Sequence, residues 1–276
     1  MRGYYGMPPR YSNCVPTDWP RRIVCLTEET TETLYLLGEQ DRIVGVSGYT
    51  VRPPEARGKP KISAFINAKF DKIVELKPDL VLAFSDLQAD ITAELVRRGL
   101  NVVNFNQRGV EEILQMMLAL ARLVGAEDKG GKLVAGMRAE LDSIAASAAG
   151  LPRRPRVFFE EWHDPLISGI RWVDELIEIA GGETLFPELR HCQGAKDRIL
   201  SPETVAARDP EIVIASWCGR KVNKDWIRRR PGWSDTSAVR NGRIHEIKST
   251  YILQPGPAAL TDGVRQLHKI IAGAAA

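Results

Sequence analysis

The sequence has few cysteines and no cysteine motif. Its 276 residues include four, at positions 14, 25, 192 and 218, and no two of them form a C-x-x-C pair. Cys25 lies in the apolar stretch RIVCL, where a lone cysteine is typical of a buried strand. The spacing excludes a disulfide framework and assigns no role to Cys192 or Cys218.

Long apolar runs are also missing. No stretch reaches the roughly 18 residues that a membrane-spanning helix needs. The first 20 residues contain arginine but no continuous apolar core. The sequence therefore predicts neither a membrane span nor a secretory signal peptide. On this basis the cytoplasm is one expected location, and the alternative is export of a chain whose signal has been removed.

The chain carries no strong net charge. Its 38 Lys and Arg residues against 35 Asp and Glu residues give +3 at pH 7, and basic and acidic residues are interleaved apart from the short run Arg228–Arg230. A run of this length is typical of a solvated helix face. We therefore expect no nucleic-acid partner.

Catalytic sequence motifs are absent as well. There is no G-x-S-x-G, phosphate-binding loop, G-x-G-x-x-G or H-E-x-x-H pattern. His163 with Cys218, or His191 with Cys192, would offer metal ligands, but neither pairing has the spacing of a metal motif. We predict a protein that is not an enzyme, uses no cofactor and has no metal site of its own.

What the sequence does contain is a regular alternation of apolar strands and helical segments from Arg22 onward, which predicts an α/β fold with parallel sheets. Two stretches repeat, DKIVELKPDLVLAF (71–84) and PETVAARDPEIVIASW (202–217). Each is interpreted as a short helix, a proline that ends it and a buried strand. The repeat predicts two similar α/β lobes.

The pattern divides the chain into four predicted segments: an extended arm over 1–21, an α/β lobe over 22–108, a helical connection over 109–150 and a second α/β lobe over 151–276. The connection is helical by its 3.6-residue periodicity. Gly125 and the pair Gly130–Gly131 are the points where it is expected to break or bend.

Ligands of open α/β sheets bind beyond the carboxyl ends of the strands. The residues that follow the predicted strands are therefore the candidate ligand contacts: Glu28, Glu29, Tyr49, Phe65, Glu161, Trp162, His163, Trp217, Arg220 and Tyr251. The aromatic members favour a large, flat, partly apolar ligand. Each residue alone is also explained by helix capping or packing. Trp172, at the start of a helix, is expected in the core.

Four segments occur in an order that resembles the substrate-binding proteins of ABC importers for vitamin B12, haem and ferric siderophores: TETLYLLGEQDRIVGVSGY, DKIVELKPDLVLAF, LISG…ELIEIAGGETLF and SPETVAARDPEIVIA. The cobalamin-binding members are the most similar, and the resemblance covers about residues 22–271. It implies two Rossmann-like lobes joined by one long backbone helix, as in class III periplasmic binding proteins, with the ligand between the lobes.

The resemblance also implies roles for particular residues. One carboxylate per lobe docks onto arginines of a membrane permease, and by register these are Asp71 and Glu203, although first-turn acids are also favoured by the helix dipole. By the same register Tyr49 and Phe65 contact the macrocycle, and Trp162 and Tyr251 occupy comparable loops of the second lobe. Where the family often has Ser-Pro-Ser after the first strand, this chain has Glu28-Glu29-Thr30, which places negative charge near the ligand.

We therefore expect the ligand-binding component of an ABC importer for a metal chelate, with cobalamin or a related corrinoid first. It would act as a monomer, periplasmic or membrane-associated, that delivers its ligand to an inner-membrane permease. One alternative is a haem or ferric siderophore binder, whose anionic ligand would meet cations in the cleft, with Arg171, Arg198, Arg220 and Lys221 as candidates. Another is a cytoplasmic tetrapyrrole enzyme or chaperone of chelatase-like architecture, which would place His163 with Glu161 at the cleft.

Overall fold

A computed structural model describes residues 19–276, so the arm predicted over 1–21 lies almost wholly outside the described residues. The described chain forms two α/β lobes, each built on its own sheet of mainly parallel strands. This confirms the predicted fold class. Within residues 19–276, no helix combines the length and the apolar content needed to cross a membrane.

The first lobe contains a six-stranded sheet in the order β4-β3-β2-β1-β5-β6. Its strands are β1 (Ile23–Cys25), β2 (Ile43–Ser47), β3 (Lys61–Ala64), β4 (Asn67–Ala68), β5 (Leu80–Phe84) and β6 (Val102–Phe105). Every residue of β1 and β5 is buried, because helices cover both faces of the sheet. These helices are α1 (Glu28–Leu36), α2 (Phe70–Glu75) and α3 (Ala89–Arg97).

The second lobe contains a five-stranded sheet in the order β11-β10-β7-β8, with β9 paired to β7. Its strands are β7 (Arg156–His163), β8 (Leu166–Ser168), β9 (Glu183–Thr184), β10 (Ile212–Ala215) and β11 (Ile244–Glu246). Its helices are α6 (Arg171–Ile179), α7 (Pro202–Ala207), α8 (Lys224–Arg228), α9 (Ser237–Arg240), α10 (Ser249–Ile252) and α11 (Val264–Ala275), the last preceded by a π-helical turn over Ala259–Gly263.

The sheets are not parallel throughout. β4 runs antiparallel to β3, and β8 runs antiparallel to β7. Two residues separate the strands of each pair, and a connection this short permits only a hairpin, since parallel strands need a crossover. Both hairpins lie at the ends of strands whose other neighbours are parallel.

The connection consists of two helices, α4 (Val110–Leu123) and α5 (Glu127–Ala149), which pack against each other, in place of the one long helix that the family resemblance implies. A break at Gly125 is one of the two that the sequence predicts. The chain turns at Gly125 and not at the glycine pair. Gly130 lies inside α5, where a Cβ atom would come within 2.3 Å of the Ala121 Cβ atom on α4. The absence of a side chain therefore allows the two helices to approach closely.

Helix α4 belongs to the cores of both lobes. Ile113 and Met117 pack in the main core of the second lobe, whereas Leu120 and Ala121 pack with the strands of the first lobe. Because one helix completes two cores, the lobes are joined by buried apolar contacts as well as by the chain. The boundaries of the connecting segment, 109–150, remain a prediction. They set the connection apart from both lobes, whereas α4 contributes to the core of each.

The duplicated unit is visible in backbone detail. Lys77 and Asp209, each preceding a proline, end α2 and α7 with φ angles of 47° and 46°. Arg22 precedes the first strand of the first lobe, and Arg156 begins the first strand of the second. Their backbone N–H groups donate at 3.0 Å to the side chains of Asp79 and Glu211, respectively. The Arg22 guanidinium donates to the Lys77 carbonyl at 3.1 Å, and that of Arg156 to the Asp209 carbonyl at 2.8 Å. These matched bonds satisfy carbonyl groups at the end of each helix.

A candidate ligand cleft between the lobes

A cavity of about 420 Å³ lies between the carboxyl edges of the two sheets and is lined by residues from both lobes. Its walls are mainly apolar and aromatic, with a few buried charged groups. The apolar and aromatic lining comprises Tyr49, Val51, Phe65, Phe84, Leu87, Ile170, Trp172, Leu253 and Pro255. An apolar cavity with a few convergent polar groups is typical of a small-molecule site.

The backbone holds Phe65 in place on the wall of the first lobe. Its φ angle of 53° is uncommon for a bulky residue, and it is fixed by the buried Gln88, whose Nε2 atom donates to the Phe65 carbonyl at 2.7 Å. The Gln88 Oε1 atom in turn accepts from the Phe84 backbone N–H at 3.0 Å. The backbones of two cavity aromatics are thus tied to one side chain, which fixes their positions on the wall in advance of binding.

The wall of the second lobe is fixed by a buried ion pair and an indole. Arg198 is 1% exposed and donates to Glu161 at 2.6 Å and to the Ser168 carbonyl at 2.5 Å. Trp172 is 3% exposed and donates its indole N–H to the Ile252 carbonyl at 2.9 Å. On the opposite wall Arg108 pairs with Asp86 at 2.6 Å. The cavity therefore contains two guanidinium–carboxylate pairs.

Two adjacent carboxyl groups begin α1 at the floor of the cavity. Glu28 lines the cavity, and Glu29 lies behind it, where the Thr27 hydroxyl donates to its Oε1 atom at 2.5 Å. Burial raises the pKa of Glu28, and burial together with the charge of Glu28 raises the pKa of Glu29 to about 8. One oxygen of each carboxyl group has no hydrogen-bond partner.

The structure brings four of the ten sequence-predicted contacts to the cavity lining: Glu28, Tyr49, Phe65 and Glu161. Each follows a strand at its carboxyl end or lies at the end of the strand itself. Tyr49 and Leu87 remain about half exposed, at 49% and 55%, so they extend the apolar surface beyond the mouth of the cavity. An exposed apolar rim of this kind is typical of a binding surface.

The other six predicted residues do not line this cavity, since each has a partner elsewhere. Glu29 is 1% exposed and accepts a hydrogen bond from the Thr27 hydroxyl. Tyr251 faces Arg52, which lies 5.0 Å from its ring, and lines a separate cavity of about 490 Å³ beside α1. The remaining four belong to one group in the second lobe: Trp162, His163, Trp217 and Arg220.

That group is an aromatic stack. The His163 ring lies 4.4 Å from Trp217 and 5.6 Å from Trp226, and burial lowers its pKa. Trp217 is 2% exposed and donates to Glu160 at 3.0 Å, and Arg220 lies 5.9 Å over Trp162. The stack stabilises the loop after β10 and places His163 apart from the cavity that Glu161 lines. Of the His163–Glu161 set expected of a chelatase-like site, only Glu161 lines the cavity.

Sequence reasoning missed several cavity residues. Asp86 and Arg108 follow β5 and β6 within three residues, so the rule that located Tyr49 and Glu28 would have found them. Trp172 is buried, as expected of a core residue, yet it also lines the cavity. No local signal marks Gln88, because its role depends on the fold bringing Phe65 beside it.

The cysteines and possible metal ligands are few. Cys25, Cys192 and Cys218 are free thiols, and Cys14 lies outside the described residues. Cys218 lines the cavity, and burial raises the pKa of its thiol. Among residues 19–276 no cluster of three or more His, Cys, Asp or Glu side chains is arranged to hold a metal ion.

Two α/β lobes that share core helices and enclose an apolar cavity define a two-lobed ligand-binding protein. The sequence matches the Periplasmic binding protein family over residues 23–251, and the chain belongs to that family. Its members are solute-binding components of transport systems, which confirms the prediction of a binding protein over an enzyme.

Individual relatives are distant but match along most of their length. The chain is 27% identical to an ABC transporter substrate-binding lipoprotein of Bacillus subtilis, over 91% of this chain and 80% of that protein. It is 26% identical to a vitamin B12-binding protein of Vibrio parahaemolyticus, over 92% of this chain and 91% of that protein. The solved periplasmic haem-binding protein of Roseiflexus is 25% identical, with a TM-score of 0.78 over 91% of this chain and 99% of that one.

Proposed function

We propose that the protein is the ligand-binding component of an ABC importer for a metal chelate, with cobalamin or a related corrinoid as the ligand. The observation that carries the proposal is the inter-lobe cavity with its preoriented aromatic wall. A cavity of about 420 Å³ encloses only part of a corrinoid, and the exposed Tyr49 and Leu87 supply contact area beyond it. The vitamin B12-binding relative supports this choice of ligand.

The electrostatics of the cleft favour a corrinoid over an anionic siderophore. Arg108 and Arg198 line the cavity, but each is already paired with a carboxylate at 2.6 Å. Glu28 adds a further acid at the floor. A polyanionic chelate would therefore meet neutral ion pairs and a carboxyl group in place of free cations. By analogy with its family, we place the protein outside the cytoplasmic membrane, acting as a monomer.

Replacing Tyr49 with alanine is expected to weaken cyanocobalamin binding by about tenfold or more, because an aromatic contact with the macrocycle is lost. Calorimetric titration of the purified protein measures this, with haem and a ferric hydroxamate siderophore titrated in parallel. Val96→Ala is the control, since Val96 is an apolar side chain that is 56% exposed on α3 and does not line the cavity. Binding of haem or the siderophore without cyanocobalamin would replace the proposed ligand, and equal effects of the two substitutions would exclude the proposed cleft.

We further propose that Asp71 and Glu203 dock the loaded protein onto basic residues of the permease. Both are exposed acids in the first turns of the matched helices α2 and α7, one in each lobe. Asp71 pairs with Arg98 at 2.7 Å while its side chain stays 92% exposed, so the carboxylate remains accessible to a partner. Exposed ion pairs of this kind are weak and exchange partners readily.

The double substitution Asp71→Lys/Glu203→Lys is expected to leave ligand affinity unchanged and to reduce ligand uptake by about tenfold or more, because like charges then face each other across the interface. Uptake of labelled ligand by cells that depend on this protein measures the effect. Glu75→Lys/Glu127→Lys makes the same change in net charge at exposed positions and serves as the control. Equal uptake by the two double variants would argue against docking through these acids.

A further inference from the structure

Three buried side chains that line the cavity each keep one polar atom without a hydrogen-bond partner. These atoms are Glu28 Oε1, Arg108 Nε and Arg198 Nε. The residues are 8%, 7% and 1% exposed. Buried polar atoms without partners are costly and are uncommon in folded proteins. The three atoms are one hydrogen-bond acceptor and two donors on residues that line a single cavity. This indicates that a bound ligand supplies their missing hydrogen-bond partners.

The charges around these atoms define what kind of group fits. The guanidinium groups of Arg108 and Arg198 are already neutralised by Asp86 and Glu161, so a neutral carbonyl oxygen suits their remaining N–H donors. Glu28 is accompanied by the acid Glu29 and needs a donor in place of a further anion. The ligand groups must therefore both donate and accept hydrogen bonds and carry no negative charge.

A primary carboxamide meets this requirement, because it has two N–H donors and a carbonyl acceptor, whereas a carboxylate only accepts. We propose that Glu28, together with Arg108 and Arg198, selects a chelate fringed with primary carboxamides over one fringed with carboxylates. This inference rests on the proposed function, since it assigns a specificity to the same cleft. Cobalamin carries such amides, and haem carries carboxylates in the corresponding outer positions.

Proton release on ligand binding is a second property that would distinguish a ligand-binding Glu28 from a structural one. Burial raises the pKa of Glu28, and side-chain hydrogen bonds from Ser47 and Gln254 and the charge of Lys61 oppose this rise. The neighbouring titratable groups Glu29 and Cys218 feel the charge of Glu28 in turn. An N–H donor from the ligand favours the ionised form and lowers this raised pKa. Amide binding at Glu28 is therefore expected to release a proton at those pH values where the unliganded carboxyl group is protonated, and affinity is expected to rise with pH over that range. A purely structural Glu28 would release none.

The test compares ligands that differ by one functional group. Purified protein is titrated at pH 7.5 with cyanocobalamin and with its isomeric monocarboxylic acids, in each of which one side-chain amide has become a carboxylate. At least one isomer is expected to bind roughly tenfold more weakly, because a charge-assisted bond is replaced by repulsion. Calorimetry in two buffers of different ionisation enthalpy counts the released protons.

Glu28→Gln keeps the size of the side chain and removes the charge. We expect it to reduce the preference for cyanocobalamin over that isomer to about threefold or less and to abolish proton release, whereas the exposed control Glu75→Gln changes neither. If every isomer binds wild-type protein as tightly as cyanocobalamin, or if Glu28→Gln keeps the full preference, the inference is wrong while the proposed function stands. If no corrinoid binds the wild-type protein, the proposed function is wrong, and the inference that rests on it is wrong as well. The comparison on wild-type protein needs no variant to fold.

Discussion

Replacing Arg230 with methionine is expected to lower the free energy of unfolding by about 3–5 kcal/mol, because it leaves a buried carboxylate without its cation. Glu160 is 0% exposed within β7, and Arg230 donates to its two oxygens at 2.5 and 2.9 Å. The same carboxylate accepts the indole N–H of Trp217, and the Arg230 guanidinium lies 4.7 Å over the ring of Trp233. One substitution therefore disturbs the core of the second lobe and the loop beside the cleft.

Urea denaturation followed by tryptophan fluorescence measures this change as a shift of the midpoint. Arg229→Met is the control, since Arg229 is the exposed neighbour and its replacement should change stability by less than about 0.5 kcal/mol. Adding Glu160→Gln to Arg230→Met removes the unpaired charge and should recover most of the loss. A midpoint for Arg230→Met equal to that of Arg229→Met would mean that water or another cation compensates Glu160.

Replacing Gly256 with alanine is expected to destabilise the protein by about 1–3 kcal/mol and to weaken ligand binding, because the added methyl group forces the two lobes apart. A Cβ atom at this position would lie 2.4 Å from the Cβ atom and 3.1 Å from the Cα atom of Glu29. The backbone of α1 cannot yield as a flexible side chain would. Gln107, bonded to the Pro255 carbonyl at 3.1 Å, holds the same contact between the lobes.

Thermal unfolding and ligand titration of Gly256→Ala test the two parts of this expectation. Gly131→Ala is the control: Gly131 lies inside α5 with nothing within 4 Å of the added atom, so alanine there should raise stability by up to about 1 kcal/mol. Unchanged stability and affinity in Gly256→Ala would show that the contact between α1 and the 254–257 loop adjusts freely. A loss of affinity alone would place the effect in the cleft.

Local sequence patterns were sufficient for the elements and for part of the cleft. The repeated prolines at 78 and 210 mark the ends of two short helices, and the apolar runs that follow are buried strands, as predicted. Strand ends also located Glu28 and Tyr49, because the carboxyl edge of a parallel sheet gathers the residues that follow its strands. These features depend on periodicity and chain direction, which neighbouring residues specify.

Local sequence patterns could not predict the direction in which the loop side chains point. His163 ends a strand and Trp217 follows one, much as Tyr49 does, yet they stack on each other at 4.4 Å and do not line the cavity. Trp172 and Arg198 line it instead. The surface that a loop side chain contacts depends on partners far away in the sequence. Glu160, for example, is paired with Arg230. A loop aromatic packs wherever the fold supplies a surface for it.

What the sequence determined by itself is the alternation of strands and helices, the duplication of a unit and the edge of each sheet where ligands meet the chain, since these follow from residue periodicity and proline positions. Only the tertiary structure decided that α4 contributes to the cores of both lobes and that Gln88 fixes the backbone of Phe65. It also decided that Glu28 lines the cleft with an unmatched oxygen. Packing between distant segments sets these features, because burial and hydrogen bonding are settled when the lobes come together.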